Sequence, residues 1–307
     1  MTDKQLILLA ASAAGFSLYL SNIFKINNLK TRSILLMTHS DDIFLDSEEI
    51  TEYRNKLNSN LILQHQDSIL LEQIKLFERD YTKDELLIMK NNLQNLKVDY
   101  NGGSFFTSGS YSQFENKISL SPLYDTSNNS SEYKGTVNHE MHHMASNLGR
   151  INNYIICGFE QLRIARGITH IGKGLNEAYA EFLSKNNSKK EDYQYKKNVN
   201  LIPLIELFYD DKKELRQSFF NADLPSVIKK FSEVTDRNTA IKLIRDIDKL
   251  CFYDSNKTWF DKSEDLEIDI RIMLYDFYKK MSGCLNKENL FFEDSMMEKV
   301  YMKIKNK

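Results

Sequence analysis

The chain has 307 residues, 41% hydrophobic and 27% charged, which supplies enough apolar material for a sizeable core and sets it apart from disordered chains. Lys+Arg 41 against Asp+Glu 43 leaves a net charge of -2, which excludes a general basic footprint for nucleic acid. Gly 11 and Pro 3 are too few for a collagen-like or Pro-rich chain and argue against a loop-dense all-β fold.

The amino terminus holds the one compositional outlier. Leu6–Phe24 is uncharged, and a helix of that length, at ~1.5 Å per residue, nearly spans a bilayer core of ~30 Å. Lys25, Lys30 and Arg32 follow it, so a membrane anchor would leave the rest of the chain on the cytoplasmic side. The alternative is a buried helix of a soluble cytoplasmic protein, since Ser12, Ser17, Ser21 and Asn22 dilute the run. Next, Asp46-Ser47-Glu48-Glu49 marks a helix start, with Ile50, Tyr53 and Leu57 at helical spacing. Ile62, Ile69, Leu70, Ile74 and Phe77 continue a helical stripe, and Thr82 with Glu85 predicts a capping box before a further helix. Character changes at Tyr100. A turn at Asn101-Gly102-Gly103, the aromatics Phe105, Phe106, Tyr111 and Phe114, and the alternation over Lys117–Ser121 predict a sheet of two or three strands.

A helix is predicted from Glu132 to about Leu148, with Gly149 as its stop, then an extended segment over Tyr154–Ile164 that Gly158 interrupts. Gly167, Gly172 and Gly174 mark a loop before a second helix from Leu175 to about Ser184. Beyond Lys190 the pattern is almost wholly helical, over Leu201–Phe208, Val227–Val234, Ala240–Leu250 and Ile268–Met281. Cys157, Cys251 and Cys284 are odd in number and widely spaced with no CxxC, so they read as buried thiols rather than as staples or a zinc knuckle.

The chemistry lies on the two central helices. Residues 139–143 read His-Glu-Met-His-His, an HExxH pattern. Positions i and i+4 share a helix face, so His139 and His143 can offer two nitrogens to one metal ion, with Glu140 beside them in reach of a metal-bound water. Glu177 lies 34 residues beyond His143 on the next helix, where a carboxylate completes a two-His-one-Glu zinc site and leaves a position for water. Glu181, one turn on, can accept from the far ring nitrogen of a ligating histidine and fix its tautomer. Ala178 and Ala180 are small enough for the helices to approach closely. His142 reads as a histidine beside the site or on the surface. His39 and His65 read as structural or exposed.

HExxH followed by Asn176-Glu177-Ala178-Tyr179-Ala180-Glu181 resembles the gluzincins, the thermolysin-like clan of zinc metallopeptidases, over roughly residues 100–185. The spacing to Glu177 is nearer that of clostridial neurotoxin light chains or small minimal gluzincins than that of thermolysin. The phrase GLNEAYAEFL is similar to one that recurs in proteins of low-GC Gram-positive bacteria. The resemblance implies that His139, His143 and Glu177 hold Zn2+, that Glu140 is the general base, and that Glu181 supports a ligand from behind. It also implies an oxyanion donor, for which Tyr179, His170, Tyr193 and Tyr195 all stand as candidates, and a last strand before the helix, Asn116–Ser121, that lies along the substrate. The expected fold is α+β and predominantly helical. It divides into an apolar amino-terminal helix (1–32), a helical region (33–99), a zincin-like core with a small sheet and an active-site helix (100–189), and a helical carboxy-terminal subdomain (190–307). The expected function is a zinc peptidase acting on a peptide or protein substrate, with no nucleic-acid partner. A non-catalytic zinc-stabilised domain that binds a peptide or partner is the alternative, which the presence of Glu140 counts against. No GxxxxGK[ST], GxGxxG or GxSxG pattern supports nucleotide binding or a serine hydrolase.

Overall fold

The computed structural model describes residues 45–100, 102, 108–121, 131–164, 169–188, 195–255 and 263–282, with isolated positions from 291 to 303. By chain contacts, residues 1–43 and 44–307 are two units. The first falls outside the described residues, and with it Leu6–Phe24 and His39; Phe105, Phe106, Tyr193 and Cys284 also lie outside them. Among the described residues no helix is long and apolar enough to cross a membrane. The architecture is α+β and predominantly helical.

Local chemistry sets the first elements. Helix α1 (Ser47–Asn55) opens with a capping box between Asp46 and Glu49. Helix α2 (Ser68–Asp80) opens with the Asp67 side chain accepting from the Ile69 and Leu70 N–H groups. Before α3 (Leu87–Leu93), Thr82 N–H donates to Glu85 Oε2 (2.8 Å) and Glu85 N–H to Thr82 Oγ1 (3.3 Å), but this reciprocal pair closes a turn ahead of the helix, whose own N-cap, Leu86, makes no side-chain bond. Ile62 departs from the predicted stripe: it lies in irregular chain and is 61% exposed.

Strands β1 (Lys97–Asp99), β2 (Gly109–Ser112) and β3 (Lys117–Leu120) form a sheet in the order β1-β3-β2. β3 pairs in parallel with β1 and antiparallel with β2, so it is the central strand and has no free edge. Asn116–Ser121, expected to lie along a substrate, thus has both strand edges paired within the sheet. Among the described residues, β2 is the outer strand beside the next helix.

That helix, α4 (Ser131–Ala145), stops earlier than predicted. Its last carbonyls are taken by side chains: Ser146 Oγ donates to His142 O (3.0 Å), Asn92 Nδ2 to Met144 O (2.8 Å) and Cys157 Sγ to His143 O (3.2 Å). Asn147 then leaves the helix to pair with Cys157 as β4 (Asn147–Ile151). Gly149, expected to end the helix, sits in this strand at φ +82° beside a register shift. β4, β5 (Tyr154–Cys157), β6 (Glu160–Arg163) and β7 (Thr169–Ile171) form an antiparallel meander in chain order. Asn152, at φ 54°, makes the first turn with Asn153, and Gly158, also at φ 54°, makes the second.

Helix α5 (Lys173–Ser188) runs antiparallel to α4 and packs along it. Ser184 Oγ donates to Gly135 O (3.0 Å) at one end of the pair. Ala178 and Ala180 are fully buried, as are Leu175, Val137, Met141 and Met144. Each large apolar side chain so buried contributes roughly 1.5–3 kcal/mol. The rest is helical: α6 (Lys196–Val199), α7 (Ile202–Glu206), α8 (Lys212–Phe220), α9 (Leu224–Ser232), α10 (Arg237–Ser255) and α11 (Ser263–Ser282). One apolar cluster joins α2, α4, α5 and α7–α11, so regions 100–189 and 190–307 share a core. Cys157 and Cys251 are free buried thiols.

Candidate metal centre

The helical spacing on α4 does what it predicts. His143 Nε2 lies 3.1 Å from His139 Nε2. From α5, a single carboxylate oxygen meets both: Glu177 Oε2 is 3.5 Å from His139 Nε2 and 3.3 Å from His143 Nε2. Atoms that bind one tetrahedral ion at ~2.0–2.1 Å stand ~3.3–3.4 Å from one another, so this triangle has the size that zinc requires. The atoms of His139, Glu140 and His143 also lie within 4.8 Å of one another, so two carboxylates compete for the third place. Electrostatics separates them. Burial raises the Glu140 pKa despite both histidines, whereas His143 and His139 overcome burial and hold Glu177 well below the usual carboxylate range. Geometry favours Glu177, whose single oxygen meets both Nε2 atoms.

The far ring nitrogens have polar neighbours as well. His139 Nδ1 lies 2.8 Å from Glu181 Oε2. His143 Nδ1 lies 3.2 Å from Asn176 Nδ2, an amide nitrogen that only donates, so this ring nitrogen accepts. Asn176 Oδ1 accepts from Phe159 N–H (3.1 Å). Asn176 is fully buried. Sequence reasoning assigned it no role, although the Asn-Glu pair carried the signal. Burial opposes charge on His139, but Glu177, Glu181 and Glu140 outweigh it and lift its pKa to about 10. A cluster this short of positive charge suits a divalent cation.

His142 is not part of the cluster. It is fully buried, its Nδ1 donates to Asn138 O (2.8 Å) and its Nε2 accepts from Tyr81 Oη (2.7 Å). These partners fix a neutral ring, and burial pushes its pKa down to about 3. The other face of α4 is pressed by β2. A Cβ on Gly109 would lie 2.7 Å from Thr136 Cγ2 and 3.4 Å from Glu140 Cγ, so the strand passes within contact of the motif glutamate.

Comparison with known proteins finds no matching family model, curated protein or solved structure. The site must therefore be read from its own atoms.

Of the oxyanion candidates, Tyr179 points away: its ring packs against Phe159 and Phe219 with centroids at 5.5 and 5.2 Å. His170 Nδ1 sits 3.7 Å from Glu160 Oε1, and burial lowers its pKa. Tyr195, immediately before α6, is the candidate most strongly bound to the site's field. The charge of Glu177, then burial, and also the charges of Glu140 and Glu181 drive its pKa well above the ordinary phenol value. His65, far in sequence, accepts from Asp67 N–H at 3.1 Å, a local structural contact.

Proposed function

We propose that the chain is a zinc-dependent peptidase, with His139, His143 and Glu177 holding the ion and Glu140 acting as general base. The observation that carries this reading is the single Glu177 oxygen that closes the triangle with the two Nε2 atoms. Bound there, zinc would supply a water of lowered pKa and a Lewis acid for a carbonyl oxygen. The chain's own groups do the rest. Glu140, buried and with its pKa raised, takes a proton from the attacking water and returns it to the leaving nitrogen. Glu181 lies against the far ring nitrogen of His139, where an acceptor keeps Nε2 free and aimed at the ion. Tyr195, whose phenol feels the charges of Glu177, Glu140 and Glu181, is the candidate donor to the oxygen on which charge develops. The outer strand β2, which touches α4 at Thr136 and Glu140, aligns an extended peptide by strand addition. The test is metal content measured beside cleavage of a mixed peptide library by wild type and Glu140→Gln. Zinc with cleavage that Glu140→Gln abolishes supports the peptidase. Zinc without cleavage by the wild type supports the alternative, a zinc-stabilised binding domain.

A further inference from the structure

Gly172, just before α5, and Gly174, in its first turn, have a steric cause. A Cβ on Gly172, at φ +80°, would lie 2.0 Å from Phe159 O. A Cβ on Gly174 would lie 2.5 Å from Ile247 O and 2.9 Å from Asp248 Cα. The backbone of α10 is thus pressed onto the first turn of α5. Asp248 uses that approach: its Oδ1 accepts from Gly174 N–H at 2.6 Å and its Oδ2 from Gly172 N–H at 2.9 Å. A helix start has unsatisfied N–H groups, usually capped by the residue just before it. Here Gly172 has no side chain to serve, and the cap comes from a helix more than seventy residues away.

We propose that Asp248 is a positioning residue for the metal site: by gripping the start of α5 with both oxygens, it fixes the axial placement of Asn176, Glu177 and Glu181 against the two histidines of α4. The inference rests on the metal-binding reading above. Glu177 follows the clamp by one turn, so a small slide of α5 would open the triangle of 3.1–3.5 Å contacts. Electrostatics separates this role from plain support. Burial, opposed by the two glycine N–H groups, pushes the Asp248 pKa up to about 7, with Glu160 raising it further and Lys173 lowering it. An acid whose folded pKa is raised weakens the fold as pH rises from its unfolded value toward the folded one. At neutral pH the Asp248 charge therefore does not stabilise the fold.

The experiment measures zinc affinity by chelator competition and the visible spectrum of the cobalt-substituted full chain. The variants are Asp248→Asn, which keeps shape but only one acceptor, and Asn198→Ala. Asn198 Nδ2 donates to Ile247 O at 2.9 Å, so it braces the same stretch of α10 without touching α5 through that bond. Asp248→Asn is expected to weaken zinc binding about 10-fold and to shift the cobalt bands, with the metal-free melting point unchanged or raised. Asn198→Ala is expected to lower the melting point and leave zinc affinity alone. Gly174→Ala, which forces α10 off α5, gives the same loss of affinity should Asp248→Asn not fold. Wild-type zinc affinity and cobalt bands in Asp248→Asn, or losses in all variants that track stability alone, overturn the inference while leaving the metal site standing. A wild type that binds no zinc overturns both.

Discussion

Two histidines on adjacent turns of α4 face opposite surroundings. His139 looks toward α5, where three carboxylates lift its pKa to about 10. His142 looks toward Tyr81 and Phe77, whose ring centroid lies 4.6 Å from its own, and burial drops its pKa to about 3. Residue type is the same and helix position differs by three. Partners alone decide that the two rings shift in opposite directions, one toward the charged form and the other toward a neutral tie in the core.

The largest expected break in that contrast comes from Glu140→Gln. The amide fits the same space and leaves the ligands alone, yet it accepts no proton from water at neutral pH. Peptide hydrolysis should fall by ~10²–10⁴-fold with zinc content unchanged, read by steady-state rates beside elemental analysis. Glu181→Ala should be milder. It frees the far side of His139 and should weaken zinc binding by ~10–100-fold, measured by chelator competition. Full affinity would mean that the 2.8 Å contact orients nothing. His142→Ala acts on the side of α4 that packs against Phe77 and Tyr81. It removes a buried ring and the acceptor of the Tyr81 hydroxyl, so denaturant unfolding should show a loss of about 2–3 kcal/mol while zinc stoichiometry holds.

The contrast also bears on pH. The folded pKa of His139 is raised above its ordinary 6.5, so in metal-free protein its contribution is complete below that value and is lost as pH rises toward about 10. Glu177 is shifted down from 4.5, so its contribution is present above that value and is lost as pH falls. Melting points in chelator should therefore decline between pH 7 and 10. Added zinc should remove the decline, because the bound histidine carries no proton there to lose. A flat metal-free profile would contradict the assignment of charge at His139.

Much of this site was legible because it depends on helical periodicity. His139, His143, Glu177 and Glu181 all follow from i, i+4 spacing on two helices, and the reciprocal pairs at Asp46 and Thr82 were equally local. What the sequence hid depends on contacts between distant elements. The end of α4 moved from Gly149 to Ala145 because Asn92 and Cys157, far apart in the chain, take its carbonyls. β3 became a central strand because β1, outside the predicted sheet region, pairs with it. Asn176 and Asp248 carry no periodic signal at all, since their partners are Phe159 and two glycine N–H groups across the fold. Leu6–Phe24 stands as a sequence reading.

The central claim is that Glu177, and not the neighbouring Glu140, is the third donor beside His139 and His143. Zinc per chain, measured in wild type, Glu140→Gln and Glu177→Ala after dialysis against a weak chelator, tests it most directly. The account predicts about one zinc in the first two and almost none in the third, since a lost ligand leaves two histidines to hold the ion. Zinc retained by Glu177→Ala and lost by Glu140→Gln would contradict it.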